Sequence, residues 1–152
     1  MQLVLLVLLL NSALLTGNEF AVSTFIHPSL SADNHRSNLP TIQHFAKLYG
    51  RVMPFWMGMT TGLHTLVSAI AWFYFKSVFP WLFATASIWA IVILYSLIFP
   101  VPLNNRVKEW DITELPLDWE QTRSKWDLYN WIRVIFLILA FILLSMGFKA
   151  SS

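Results

Sequence analysis

Two stretches of this chain bring titratable, amide and aromatic side chains together at spacings that could do chemistry. From Leu115 to Val134 the sequence reads LPLDWEQTRSKWDLYNWIRV, and Trp119, Arg123, Trp126, Asn130 and Arg133 follow one another at four, three, four and three residues. On a helix that spacing puts all five along one face. Indole rings can stack on a flat molecule or anchor in lipid headgroups, and a guanidinium can hold an anionic oxygen. The second stretch carries Glu19 and, eight residues on, His27, roughly 80° around a regular helix from it. Either group could accept a proton.

Arg133 follows Trp126 by about two turns on the apolar side, where an unpaired charge is expensive, so it should meet an acid, a carbonyl or water. Glu19 is the acid of the first apolar segment and could be that partner. A proton acceptor and a purely structural ion pair both stay open. His64, near Thr60, Thr61 and Ser68, could ligate haem or metal, take a proton, or link helices by hydrogen bonds. We read it as a link. Gly58 and Gly62 have the GxxxG spacing of close helix packing. Asn104 and Asn105 could orient a loop or hold a carbonyl through their amides. No phosphate-binding glycine loop, His-Glu-x-x-His metal box or nucleophile elbow occurs, and with no Cys there is no thiolate chemistry.

The elements that must position these groups follow from composition. Of 152 residues 57% are hydrophobic and only 12% charged, against about 45–50% and about 25% in soluble domains. That excludes an ordinary soluble globule. The ten Lys and Arg form no run and sit beside eight acids, which argues against a nucleic-acid surface. Four apolar segments, about 3–26, 53–75, 81–99 and 131–148, are each long enough to cross a bilayer as a helix. The first has a rival reading as a signal peptide. No Lys or Arg precedes it, and apolar character resumes after Glu19, which favours a retained helix.

Lys76 to Pro80 is a short connection, so the second and third helices should form an antiparallel hairpin. Pro100 and Pro102 should stop the third helix, and Pro116 with Asp118 and Glu120 should start a helix ahead of the fourth span. The connection from Ser29 to Arg51 is polar enough to lie at the membrane surface. Arg36, Lys47, Arg51, Arg106, Lys108, Arg123, Lys125 and Arg133 fall on one side, with only Lys76 and Lys149 on the other. This places both chain ends on the non-cytoplasmic face, most simply of the cell membrane.

Gly17-Asn18-Glu19-Phe20, His27-Pro28, Pro102-Leu103-Asn104-Asn105 and Leu115-Pro116-x-Asp118-Trp119-x3-Arg123-x2-Trp126-x6-Arg133 together resemble the anthrone oxygenase-like family of small four-helix integral membrane proteins. That family is grouped largely as a domain of unknown function. The resemblance spans nearly the whole chain. Asn130 stands where many members have His, so a proton-transfer role there does not carry over. For the anthrone oxygenase branch the resemblance implies oxidation of electron-rich polyketide phenols without an evident cofactor. It would need deprotonation of a carbon acid, stabilisation of the oxyanion and entry of oxygen into an apolar pocket.

The expectation is an all-α four-helix transmembrane bundle, one integral membrane domain, with an amphipathic extension leading into the fourth helix. Glu19, His27 and Arg123 are the candidate catalytic residues. Asn104, Asn105, Trp119, Trp126 and Arg133 are the candidate contacts to a hydrophobic aromatic molecule, with no metal and no cofactor. The alternative is a non-enzymatic membrane module whose Trp and Arg stripe docks lipid, a partner subunit or a second copy of the chain. A less favoured rival binds haem or metal through His27 and His64.

Overall fold

The computed structural model describes residues 1–32, 35–111 and 113–151, with side chains for all of these but 31, 32, 35 and 36. The positive charge of Arg36 counted above therefore lies outside the described side chains. The elements are α1 (Gln2–Ala21), a π-helical turn (Val22–Ile26), α2 (His27–Ala32), α3 (His35–Tyr74), α4 (Phe79–Ile98), α5 (Pro100–Lys108) and α6 (Trp119–Ala150).

The four long helices form a bundle in which α1 packs on α3 and α6, and α4 packs on the same two helices. Three rods, Gln2–Leu30, Phe79–Lys108 and Trp119–Ala150, are long and apolar enough to cross a membrane. Their outward side chains include Leu3, Leu94 and Ile135, all well exposed, as lipid-facing residues must be. The chain is a small helical integral membrane protein in contact with lipid.

The second apolar segment differs from the other three. It lies in α3 but falls short of the apolarity that marks those rods, because Thr60, His64 and Ser68 occupy its buried face. Two of these groups bond across to α1. Asn11 donates to the Thr60 hydroxyl at 2.8 Å, Trp56 donates to the Asn11 carbonyl at 2.9 Å, and His64 Nε2 lies 3.0 Å from Ser12 Oγ. His64 thus joins α3 to α1, and its ring stacks on Trp89 of α4 at 5.7 Å between centroids.

The polar connection from Ser29 to Arg51 is largely helix: α2 runs to Ala32 and α3 starts at His35 and continues unbroken to Tyr74. Leu39, Ile42 and Ala46 give that early part of α3 a buried stripe against Val107, Trp110 and Trp126. Its burial is tertiary and does not need an apolar run. Pro100 ends α4 at Ile98, but α5 restarts at once with Pro100 in its first turn, where a missing N–H costs nothing. Asn104 and Asn105 are consequently helical residues. Pro116 precedes α6, which begins at Trp119 after Asp118. Gly58 and Gly62 face open space, with nothing within 4 Å of where a Cβ would sit, so their spacing packs none of the described helices of this chain. The close approach occurs at Gly147 of α6, where a Cβ would come within 3.0 Å of Trp81 Cβ on α4.

Candidate functional site

Buried apolar side chains form three clusters along the bundle. One surrounds Leu8, Leu82 and Leu144, one surrounds Leu15, Trp89 and Leu137, and one surrounds Leu39, Val107 and Trp126. Residues of the second and third clusters border a cavity of about 270 Å³. Glu19 from α1, His27 from α2, Asn104 and Asn105 from α5, and Trp126 and Arg133 from α6 all line it. Six of the eight residues singled out by type and spacing therefore share one space.

Glu19 and His27 reach it together because of the π-helical turn between them. A regular helix would leave them about 80° apart. A π turn takes up one extra residue, which sets the following chain back by about 100° and nearly cancels that offset. Pro28 supplies a local reason for the turn, since it has no N–H to give and its ring would strike the carbonyl four residues back. The other buried polar residues of α1 and the turn, Ser12, Thr16 and Ser23, lie on the same inward face.

Glu19 is 1% exposed, and Arg133 donates to its Oε2. The other carboxylate oxygen, Oε1, is buried with no protein partner among the described residues, as is Oγ of Ser96, another lining residue. Buried acceptors are almost always paired, so such atoms mark places where a ligand or water completes the site. Tyr49, on the same wall, donates to Asn18 Oδ1 at 3.2 Å. Between the polar groups the wall is apolar, with Met53 and Met57 from α3 and Ile93 from α4.

His27 is held from α6. Its Nδ1 lies 3.0 Å from Asp127 Oδ1, and its ring packs on Trp126 at 4.6 Å between centroids. Arg123 Nη2 donates to the His27 carbonyl at 3.2 Å, and its Nε lies 3.6 Å from Asp127 Oδ2. Asp127 was not singled out from the sequence. The available signal was its place four residues after Arg123, the spacing of a helical ion pair. Tyr49, Ser96 and the two Met carried no signal.

Arg123 and Trp119 do not line the cavity. Arg123 is buried behind His27, and Trp119 packs on the cluster of Leu39, Val107 and Trp126. With Trp126 only 5% exposed, the middle of the Trp and Arg stripe is turned into the chain, away from lipid or a docking partner. Asn104 donates to the Ala46 carbonyl at 3.1 Å, and Asn105 Oδ1 accepts from Lys108 at 2.9 Å. His27 and His64 engage different neighbours, and among the described residues no three His, Cys, Asp or Glu gather as a metal site.

Residues 45–143 match the family model described as anthrone oxygenase. The matched segment includes Asn104, Asn105, Trp119, Arg123, Trp126 and Arg133, whereas Glu19 and His27 precede it. No curated protein and no solved structure gives a match.

Proposed function

Because this chain belongs to the anthrone oxygenase family, we propose that its cavity receives a hydrophobic aromatic molecule with an acidic C–H and promotes its oxidation by molecular oxygen. The observation that carries this reading is Glu19, a lining residue of an otherwise largely apolar cavity whose Oε1 is buried with no protein partner among the described residues. Glu19 is the general base. Arg133 holds its other oxygen and so leaves Oε1 as the atom that takes the proton. Asn130 and Arg133 line the cavity beside it and supply N–H donors for the oxygen that becomes negative as the carbon acid ionises. Trp126 offers an aromatic surface to the substrate, and His27 forms the adjoining wall.

For an anthrone the balance is a CH2 group plus O2 giving a carbonyl plus water. The carbon loses two hydrogens and gains one oxygen atom, and the second oxygen atom leaves as water with those hydrogens. Molecular oxygen is the sole oxidant. Its apolarity favours entry past Met53, Met57 and Ile93. Arg123 and Asp127 are positioning residues in this scheme, because they touch His27 and do not line the cavity.

The test uses the full chain reconstituted in lipid vesicles with anthrone, following oxygen uptake and anthraquinone absorbance together. Wild type should exceed protein-free vesicles. Glu19→Gln, which keeps an acceptor for Arg133 but is not a base, should lose on the order of 100-fold or more. Equal rates for Glu19→Gln and wild type, or no rate above lipid alone, would overturn the proposal.

A further inference from the structure

Resting on the reading of the cavity as a ligand site, we propose that its ligand enters sideways from the bilayer, through a gap between α3 and α4. The ligand class is then an uncharged, flat, apolar molecule dissolved in lipid, not a solute delivered from water. Some of the lining residues also reach the outside. Pro54 and Gly58 on α3 and Leu97 on α4 line the cavity and are exposed. Neighbouring Phe55, Leu94 and Ile98 are 74%, 60% and 63% exposed. Leu94 and Ile98, large apolar side chains exposed on the rod Phe79–Lys108, face hydrocarbon. Where the cavity opens between these helices, it opens onto lipid.

Little side-chain bulk stands on α3 at this point. Gly58 has none, and a Cβ there would meet nothing within 4 Å. The opposite end of the lining, at α5, is polar, and Asn105 there is exposed. There Lys108 donates to Asn105, and a Cβ on Gly50 would lie 2.7 Å from Lys108 Nζ and 2.8 Å from Asn104 Nδ2. An apolar molecule arriving at that end would meet hydrogen-bonded polar groups pressed on α3. The α3–α4 side has a bare glycine and a wall of flexible Met53 and Met57 leading inward to Glu19. An ion would be expensive to bring through hydrocarbon to such a gap. A neutral polycyclic molecule already partitions into that phase.

The chain has no Cys, so one introduced thiol can be plugged and unplugged in the same folded molecule. In vesicles, Leu97→Cys is modified with a bulky methanethiosulfonate reagent and later restored with reductant. Binding of anthraquinone is followed by stopped-flow quenching of tryptophan fluorescence. The expected result is an association rate at least tenfold lower when plugged, recovering on reduction. Ile91→Cys, half-exposed on the same helix but off the cavity wall, should show no change when treated alike. Quenching at an unchanged rate in plugged Leu97→Cys would overturn the lateral route while leaving the cavity as the binding site. Absence of any saturable quenching in the unplugged protein would overturn the ligand site itself, and the route with it.

Discussion

The centre of the site is an ion pair that lipid cannot solvate. Arg133 and Glu19 meet across the α1–α6 contact, with side-chain exposures of 13% and 1%. Removing either partner leaves a charge without compensation, an effect of about 3–5 kcal/mol for buried pairs. Arg133→Ala should therefore lower stability by about that much. The pair Glu19→Ala with Arg133→Ala should lose clearly less than the two single changes added together. A double-mutant cycle on unfolding in bicelles reads this, and additive losses would show that the two charges do not depend on each other. Asp127 belongs to a second pair, because its Oδ2 lies 3.6 Å from Nε of Arg123, which is 5% exposed. It also fixes the His27 ring. Asp127→Asn should lower the melting temperature, by leaving the Arg123 guanidinium without its carboxylate, and lower anthrone turnover roughly tenfold through misorientation of the imidazole. An unchanged rate would remove His27 orientation from the mechanism.

At the scale of elements, the glycines make opposite predictions. Gly147→Val forces branched carbon into the 3.0 Å approach of α6 to Trp81 and should cost about 1–3 kcal/mol. Gly58→Ala adds a methyl group to open space and should stabilise α3 by about 0.5–1 kcal/mol through helix preference. Thermal unfolding of both variants checks the assignment, and a large loss at Gly58 would mean that α3 does pack closely there. The sequence motif pointed to the wrong glycines because GxxxG records a spacing and says nothing of which face meets a neighbour. The apolar rods were legible because hydropathy is a property of each segment alone. The early part of α3 was not, since its burial depends on Val107 and Trp126, which are distant in sequence. The shared direction of Glu19 and His27 was hidden for a similar reason. Regular helix geometry separates them, and only the π turn before Pro28 aligns them. The stripe on α6 was legible as a face, with Arg123, Trp126, Asn130, Leu137 and Ala140 all buried. Whether a buried residue met the cavity or lay behind it depended on neighbours the spacing could not name.

For the whole molecule, both ends of the chain lie at one end of the bundle, where Gln2 Nε2 donates to the Ser151 carbonyl at 3.3 Å. The distribution of Lys and Arg predicts that this end faces away from the cytoplasm. A single Cys at Ser151 should therefore react with a membrane-impermeant maleimide in intact cells. A Cys at Glu109, beside α5, should react only after permeabilisation. The reverse pattern would invert the expected topology.

The modest apolarity of α3 bears on how the bundle is made. A membrane-insertion machine judges each emerging segment largely by the polarity it presents, and Thr60, His64 and Ser68 weigh against entry of α3 on its own. Their hydrogen-bonding and stacking neighbours, Asn11, Ser12 and Trp89, belong to α1 and α4. Segment 53–75, tested alone in a glycosylation-based insertion assay, should enter inefficiently, and segment 53–99, which adds α4, should enter well. The step that commits this protein to the membrane would then be the arrival of a hairpin, and the residues that join its helices would also govern its biogenesis.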